Sequence, residues 1–358
     1  MLEKPTLQAS SESLISSRAP RGTKAATSGS SGTPVQVTRG HLSWAHVHAN
    51  KFRQLHWHGL RVGERYAYFW GLALEAAGRR QARVKDAFFN RDRCSAFTLD
   101  AERARDFFHR MARHPVRYAY GYPSALTQFA DEISDQGLDG RQLGWKVVIA
   151  TAESLHPQQR ERIGAAFGCG VADDYGCAEA GDAGLQCEQG GLHIPVESVV
   201  VDLLPTPEGR LELLITDLHN FSQPMIRYRV GDLVDPAPMD PCPCGRQLPL
   251  LGRVYGRAGD VLTLPDGRRV NANLPSYIFK HHGAAGTVRE YQFVQYPDGR
   301  IELRITAGPA WTSTVEPELR AEVRAALGVD VAVRLVPRFE RRGRGKHRDF
   351  VRAEDLEE

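Results

Sequence analysis

The run W-K-V-V-I-A-T-A, Trp145 to Ala152, is apolar almost throughout and does not alternate. A strand with one wet face alternates with a period of two. An unbroken run of this length therefore reads as a strand covered on both faces. A helical pattern follows from His156 to Phe167, and then a short second strand, V-A-D-D-Y (171–175). Strand, helix and strand in this rhythm imply an α/β sheet.

Working outward, His41 to Leu60 has helical spacing, with histidines and aromatic residues interspersed. R-V-G-E-R-Y-A-Y-F-W-G (61–71) reads as a turn and then a strand. Asp100, in T-L-D, caps a helix that runs to Arg113 and stops before Pro115. Ser124 is placed to cap the helix A-L-T-Q-F-A-D-E-I, with Gly137 beyond its end. Residues 1 to 26 read as a polar lead-in without period. After Gly190 the pattern changes to H-I-P-V-E-S-V-V-V-D-L and G-R-L-E-L-L-I-T-D-L, which predict antiparallel strands. From Gly256 the chain predicts a hairpin around P-D-G, a helix ending at Gly328, and the strand V-A-V-R-L-V-P. The expected fold class is α/β: a large N-terminal α/β domain with additional antiparallel strands (1–255) and a small, mobile α+β C-terminal domain (256–358).

The composition is that of a globular protein, with 358 residues, 42% hydrophobic, 25% charged and a net charge of +3. That charge is too small to argue for nucleic acid. No apolar run is long enough for a bilayer. M-L-E-K-P has no apolar core of a secretory signal. Six cysteines in a chain this long make no disulfide scaffold. The expectation is a cytoplasmic protein with neither nucleic-acid nor membrane partner, for which a homodimer is compatible with the sequence.

Several short motifs could carry chemistry. T-S-G-S-S-G-T-P (27–34) offers hydroxyls, N–H groups and backbone freedom to a phosphate, and reads equally well as a Gly/Ser linker. D-D-Y-G-C-A-E-A-G (173–181) puts an acid at a glycine turn after a strand, where it can hold Mg²⁺ beside a phosphate. P-M-I-R-Y-R-V-G-D (224–232) ends in a carboxylate able to accept two ribose hydroxyls. Y-G-R-A-G-D (255–260) opens the last module. G-R-G-K-H-R (343–348) sets a lysine between glycines, although charge alone reads it as a solvated basic tail. Two further groups are Cys187 with His193 and Cys242 with Cys244, two pairs on short turns that can make a Cys₃His zinc tetrahedron or simply carry free thiols. Cys94, Cys169 and Cys177 read as small buried residues. His41, His46, His48, His56 and His58 read as a helix face of satisfied or solvated rings rather than as ligands.

In this order, T-S-G-S-S-G-T-P, Y-G-C-A-E, I-R-Y-R-V-G-D and G-R-G-K resemble the adenylate-forming superfamily of acyl-CoA synthetases and adenylation domains. G-Y-P-S-A-L, A-T-A-E-S-L-H-P-Q-Q-R, G-L-H-I and C-P-C-G-R resemble its phenylacetate–CoA ligase-like branch, which includes CapK-type proteins. The resemblance implies ATP-dependent activation of a small carboxylic acid to an acyl-adenylate, with transfer to coenzyme A or to an amine or carrier protein. A degenerate nucleotide-binding member is the alternative. By the same resemblance, Thr27, Ser28, Gly29, Ser30, Ser31, Gly32 and Thr33 would embrace the β- and γ-phosphates of ATP. Tyr175 would lie on adenine, with Asp174, Gly176, Ala152 and Glu153 around it. Glu179 would hold Mg²⁺, Asp232 the ribose, and Arg257 would lie near ribose and phosphate. Lys346 would reach the substrate carboxylate and the α-phosphate. Gly259 stands at the hinge, where the family carries an acid or lysine. The branch has a cluster like Cys187, His193, Cys242 and Cys244, here expected to be structural zinc. Tyr68, Trp70 and Tyr122 are expected in the acyl pocket, against the alternative of ordinary core packing.

Overall fold

The computed structural model describes residues 1–18, 22–26, 36–71, 76–96, 99–206, 210–257, 261–264, 269–271, 279, 282, 285–339 and 349–356. The chain forms two compact bodies, divided mainly between Tyr255 and Gly256, with His156–Gln158 grouped with the second.

In chain order the larger body contains α1 (Lys4–Ser10), β1 (Thr23–Ala26), β2 (Gln36–Arg39), α2 (His41–Trp57), β3 (Tyr66–Trp70), α3 (Ala76–Phe88), β4 (Arg91–Ser95), α4 (Ala101–Arg113), β5 (Tyr118–Gly121), α5 (Pro123–Asp135), β6 (Val147–Thr151), α6 (Pro157–Phe167), β7 (Gly170–Cys177), β8 (Gly181–Gln186), β9 (Leu192–His193), β10 (Val199–Pro205), β11 (Leu211–Asp217) and β12 (Tyr228–Val234). Strand β13 (Val254–Arg257) follows. The run that opens the sequence reading is β6, buried at every residue. It is central to a seven-stranded sheet ordered β4-β3-β5-β6-β7-β8-β9. Strands β3 to β7 are parallel where they pair, and β8 and β9 return antiparallel.

Both faces of this sheet are covered, which is why β6 carries no polar alternation. On one face Phe69, Tyr122 and Val148 pack with Phe107 and Met111 of α4, Phe129 of α5 and Phe167 of α6. On the other, Leu55 of α2 and Leu60 pack against Tyr118, Val147, Ile149 and Ala172. The pleat sends Tyr66, Tyr68 and Trp70 to one face of β3 and Ala67 and Phe69 to the other. A second sheet, β10-β11-β12-β13, closes its own core around Leu213, Ile215, Met225 and Tyr228.

The smaller body holds β14 (Val261–Thr263) and β15 (Arg269–Asn271) as a ribbon, then β16 (Val288–Gln295), β17 (Ile301–Ala307), α7 (Val315–Leu327), β18 (Ala332–Leu335) and β19 (Phe350–Arg352). Its four-stranded sheet runs β18-β17-β16-β19. The P-D-G turn joins β16 to β17, and Gly328 ends α7 in the left-handed region at φ 75°. No helix among the described residues is long and apolar enough to cross a membrane.

Three local expectations need correction. Residues 1–26 are not a featureless lead-in, because α1 anchors itself through the fully buried Leu7 and β1 pairs with β2. One apolar anchor in two turns leaves no readable period. Ser124 does not cap α5, since Tyr122 holds the cap position and Pro123 the first turn. The Ser124 amide instead donates to Glu153 Oε2 at 3.0 Å, so the cap arrives from the end of β6. The strand expected over 171–175 runs on to Cys177, because β8 folds back along it.

Candidate functional site

Of the sequence-expected residues, Tyr175 meets Asp232, and Glu179 meets Tyr228 of the same strand as Asp232. Tyr175 is on β7 and Asp232 on β12, and the phenol donates to Asp232 Oδ2 at 2.6 Å. Glu179 sits in the turn from β7 to β8, buried, and accepts from the Tyr228 hydroxyl at 3.0 Å. A Cβ on Gly176 would lie 2.6 Å from the Gly181 carbonyl oxygen, so only glycine lets β7 and β8 approach this closely. Ala152, just past β6, is one of three non-glycine residues described with positive φ, at 68°. Such a backbone costs about 1–3 kcal/mol and is held where the surroundings over-determine it. Here Thr151 Oγ1 donates to the Asp174 carbonyl at 2.8 Å, and Glu153 is held by α5 as above. The crevice at the carboxyl ends of parallel strands is where open α/β sheets bind ligands.

The hairpin β1–β2 reaches the same region. Arg39, at the end of β2, is buried, and its Nη2 donates to Ser43 Oγ at 2.6 Å and Asp217 Oδ2 at 2.9 Å. It lies so near Gly181 that a Cβ there would meet Nη2 at 2.9 Å. Thr27, Ser28, Gly29, Ser30, Ser31, Gly32 and Thr33, between β1 and β2, lie outside the described residues, as do Gly259 and Lys346. Arg257 is the last residue of β13.

Asp174 points the other way from Tyr175, as adjacent strand residues must. Its Oδ2 accepts from the Tyr120 hydroxyl at 2.7 Å and pairs with Lys51 Nζ at 3.3 Å. Lys51 also donates to the Tyr120 oxygen at 2.5 Å. Burial opposes the charge on Lys51, but Asp174 and Tyr120 outweigh it and hold the ammonium well above its ordinary range. Asp182, on β8, is pushed up to about 7 by burial, with Lys51 opposing and Asp174 adding to the rise. Asp173 is likewise raised to about 7 by burial, with Arg160 opposing. Sequence reading singled out neither Lys51 nor Asp182. The available signal was two consecutive acids, Asp173 and Asp174, inside a strand that should be apolar.

Of the rings expected to wall an acyl pocket, Tyr68 stacks on Trp70 at 5.3 Å between centroids. The guanidinium carbons of Arg91 and Arg93 lie 4.0 and 4.8 Å from the Tyr68 ring centroid, and Asp86 holds both arginines. Tyr120 continues this aromatic face at 6.1 Å from Tyr68 and 6.4 Å from Trp70. Tyr122 is fully buried in the opposite core, where its ring lies 4.3 Å from Trp70.

Away from this crevice, the ligand atoms of Cys187, His193, Cys242 and Cys244 all lie within 4.8 Å of one another. Cys187 Sγ is 3.6 Å from Cys242 Sγ, and Cys244 Sγ is 3.3 Å from His193 Nε2. A zinc tetrahedron with Zn–S near 2.3 Å has edges of about 3.6–3.8 Å, so donor set and spacing both fit the metal. His193 Nδ1 faces the Leu248 carbonyl at 3.3 Å, which fixes the tautomer and leaves Nε2 for an ion. Gly191 is packed so tightly that a Cβ would sit 2.6 Å from Cys242 Sγ.

No family model matches the chain. It is 24% identical over 240 residues to Protein CapK of Staphylococcus aureus, covering 66% of this chain and 52% of that protein. It is 26% identical over 314 residues to phenylacetate–coenzyme A ligase of Pseudomonas putida, covering 83% and 66%. The chain thus spans between half and two thirds of these relatives' lengths. Its fold matches a crystal structure of 2-hydroxyisobutyryl-CoA ligase in the postadenylation state with R3-HIB-AMP at a TM-score of 0.78 and 21% identity, covering 99% of this chain and 80% of that one. It also matches the anthranilate CoA ligase AuaEII with anthranoyl-AMP at a TM-score of 0.63 and 15% identity, over 90% and 64% of the two chains. The fold is that of adenylate-forming ligases, and the sequence likeness is to their phenylacetate–coenzyme A ligase-like branch.

Proposed function

We propose, from that likeness, that the chain activates a small carboxylic acid with ATP and then transfers the acyl group to coenzyme A. The observation that carries this reading is the meeting of Tyr175 with Asp232 and of Glu179 with Tyr228 at the carboxyl ends of the parallel strands. In the first step a carboxylate oxygen attacks the α-phosphorus and pyrophosphate leaves. In the second, a thiolate attacks the acyl carbonyl and AMP leaves. Asp232 is suited to the ribose hydroxyls, with the Tyr175 ring against the base. Glu179 and the outer phosphates would hold Mg²⁺, which when bound neutralises charge on the departing pyrophosphate. The loop Thr27–Thr33 would line those phosphates, and Lys346 would meet the charge that gathers between carboxylate and α-phosphate. Zinc at Cys187, His193, Cys242 and Cys244 would be structural: it ties the β8–β9 turn to the C-P-C-G turn, and four protein ligands leave no open position for chemistry. ATP and coenzyme A as substrates fit a cytoplasmic enzyme.

ATP–pyrophosphate exchange against a panel of carboxylic acids tests the reading. Acid-dependent exchange supports it. Lys346→Ala should lower the exchange at least about a hundredfold, the cost of losing one well-placed charge donor. Nucleotide binding without exchange for any acid would refute it in favour of a binding protein.

A further inference from the structure

We infer that the acid accepted by this site carries a protonated amine. The inference rests on the adenylation reading for where the carboxylate sits, and on the cluster Lys51, Tyr120, Asp174 and Asp182 for the rest of the molecule.

Asp174 and Asp182 are 2% and 7% exposed. Asp174 Oδ2 is satisfied by Tyr120 and Lys51, but Asp174 Oδ1 and Asp182 Oδ2 are buried with no hydrogen-bond partner. Buried carboxylate oxygens are normally paired, and an orphan asks what pairs it. The charges do not close internally. Once Asp182 ionises, at about pH 7 and above, two carboxylates face one ammonium, and the next cation felt by Asp182, Arg39, is already engaged by Asp217 and Ser43. What is lacking is therefore positive charge with N–H donors. An anionic group would be repelled, and a hydroxyl would supply a donor without the charge.

The cluster borders the adenylate residues. Asp174 immediately precedes Tyr175, and Asp182 pairs across the ladder with Gly176, three residues past Glu179. Beside it runs the ring face of Tyr68, Trp70 and Tyr120, which suits an apolar or aromatic spacer between carboxylate and amine. Tyr68 and Tyr120 already have Arg91, Arg93 and Lys51 over their rings, so an ammonium here gains from the two free oxygens rather than from those rings.

The test is calorimetric binding of α-, β- and ω-amino acids, each paired with the isostere that has methyl in place of ammonium, with ATP–pyrophosphate exchange run on the same pairs. At least one amino acid should bind ten times more tightly than its methyl partner, and Asp182→Asn should erase most of that preference. Methyl isosteres that bind as well as the amines throughout, binding of neither, or a preference untouched in a folded Asp182→Asn protein would overturn the inference. If that variant does not fold, the wild-type isostere comparison decides. Exchange with des-amino acids only would overturn the amine and leave adenylation standing. Amine-selective binding without exchange would overturn adenylation and leave the cation subsite standing.

Discussion

Asp182→Asn should make the protein more stable at pH 8 while weakening its hold on substrate. Burial sets the native carboxyl at about 7 against an ordinary value of 3.8. A raised acid pKa means that the native state binds more protons than the unfolded chain between those two values, so stability falls as pH rises through that window. The penalty is negligible below the unfolded value and complete above the folded one. Integrated from these two values, it is about 4 kcal/mol at pH 8 and about 2 kcal/mol at pH 5. The amide keeps the shape and gives back about 1 kcal/mol through its own unpaired group. The net gain is then about 3 kcal/mol at pH 8 and about 1 kcal/mol at pH 5, or roughly 6 and 2 °C in Tm for a body of this size. Scanning calorimetry of wild type and variant at both pH values, without ligand, reads this directly. A variant no more stable than wild type at pH 8, or a gain that does not shrink at pH 5, would show that Asp182 is not an uncompensated buried carboxyl.

The opposite substitution in the same cluster should do the reverse. Lys51→Met removes the only ammonium within reach of Asp174 Oδ2 among the described residues and should destabilise by about 3 kcal/mol; adding Asp182→Asn should recover part of the loss, and strict additivity of the two in denaturant melts would refute the coupling. The purified protein should contain about one zinc per chain by elemental analysis, a strong chelator should lower its Tm, and Cys242→Ser should abolish metal retention; a content far below one with an unchanged Tm refutes a structural metal.

Much of the frame was legible because it is written in neighbours. Trp145–Ala152 declares a doubly covered strand by its lack of alternation, and Asp100 marks the start of α4 by capping the Arg103 amide at 2.9 Å. The two cysteine-bearing turns show their spacing, and Tyr175, Glu179 and Asp232 stand in motifs whose order is itself the signal. Less was legible where one contact replaces a pattern. The short α1 rests on Leu7. The charged edge strand β4, R-D-R-C-S, carries no apolar period. The amide at the start of α5 is met by Glu153, 29 residues further along the chain.

The sequence by itself determined the long, strongly patterned strands and helices, caps such as Asp100 and Gly328, and which motifs could face a nucleotide. Those properties depend on residues a few positions apart, whose spacing the chain carries wherever it goes. Only the tertiary structure decided that Lys51 meets Asp174 across 123 residues, that Asp182 joins them, and that two carboxylate oxygens are left over. The charge balance of a buried site is set by which distant side chains are removed from water together, and no local pattern encodes that sum.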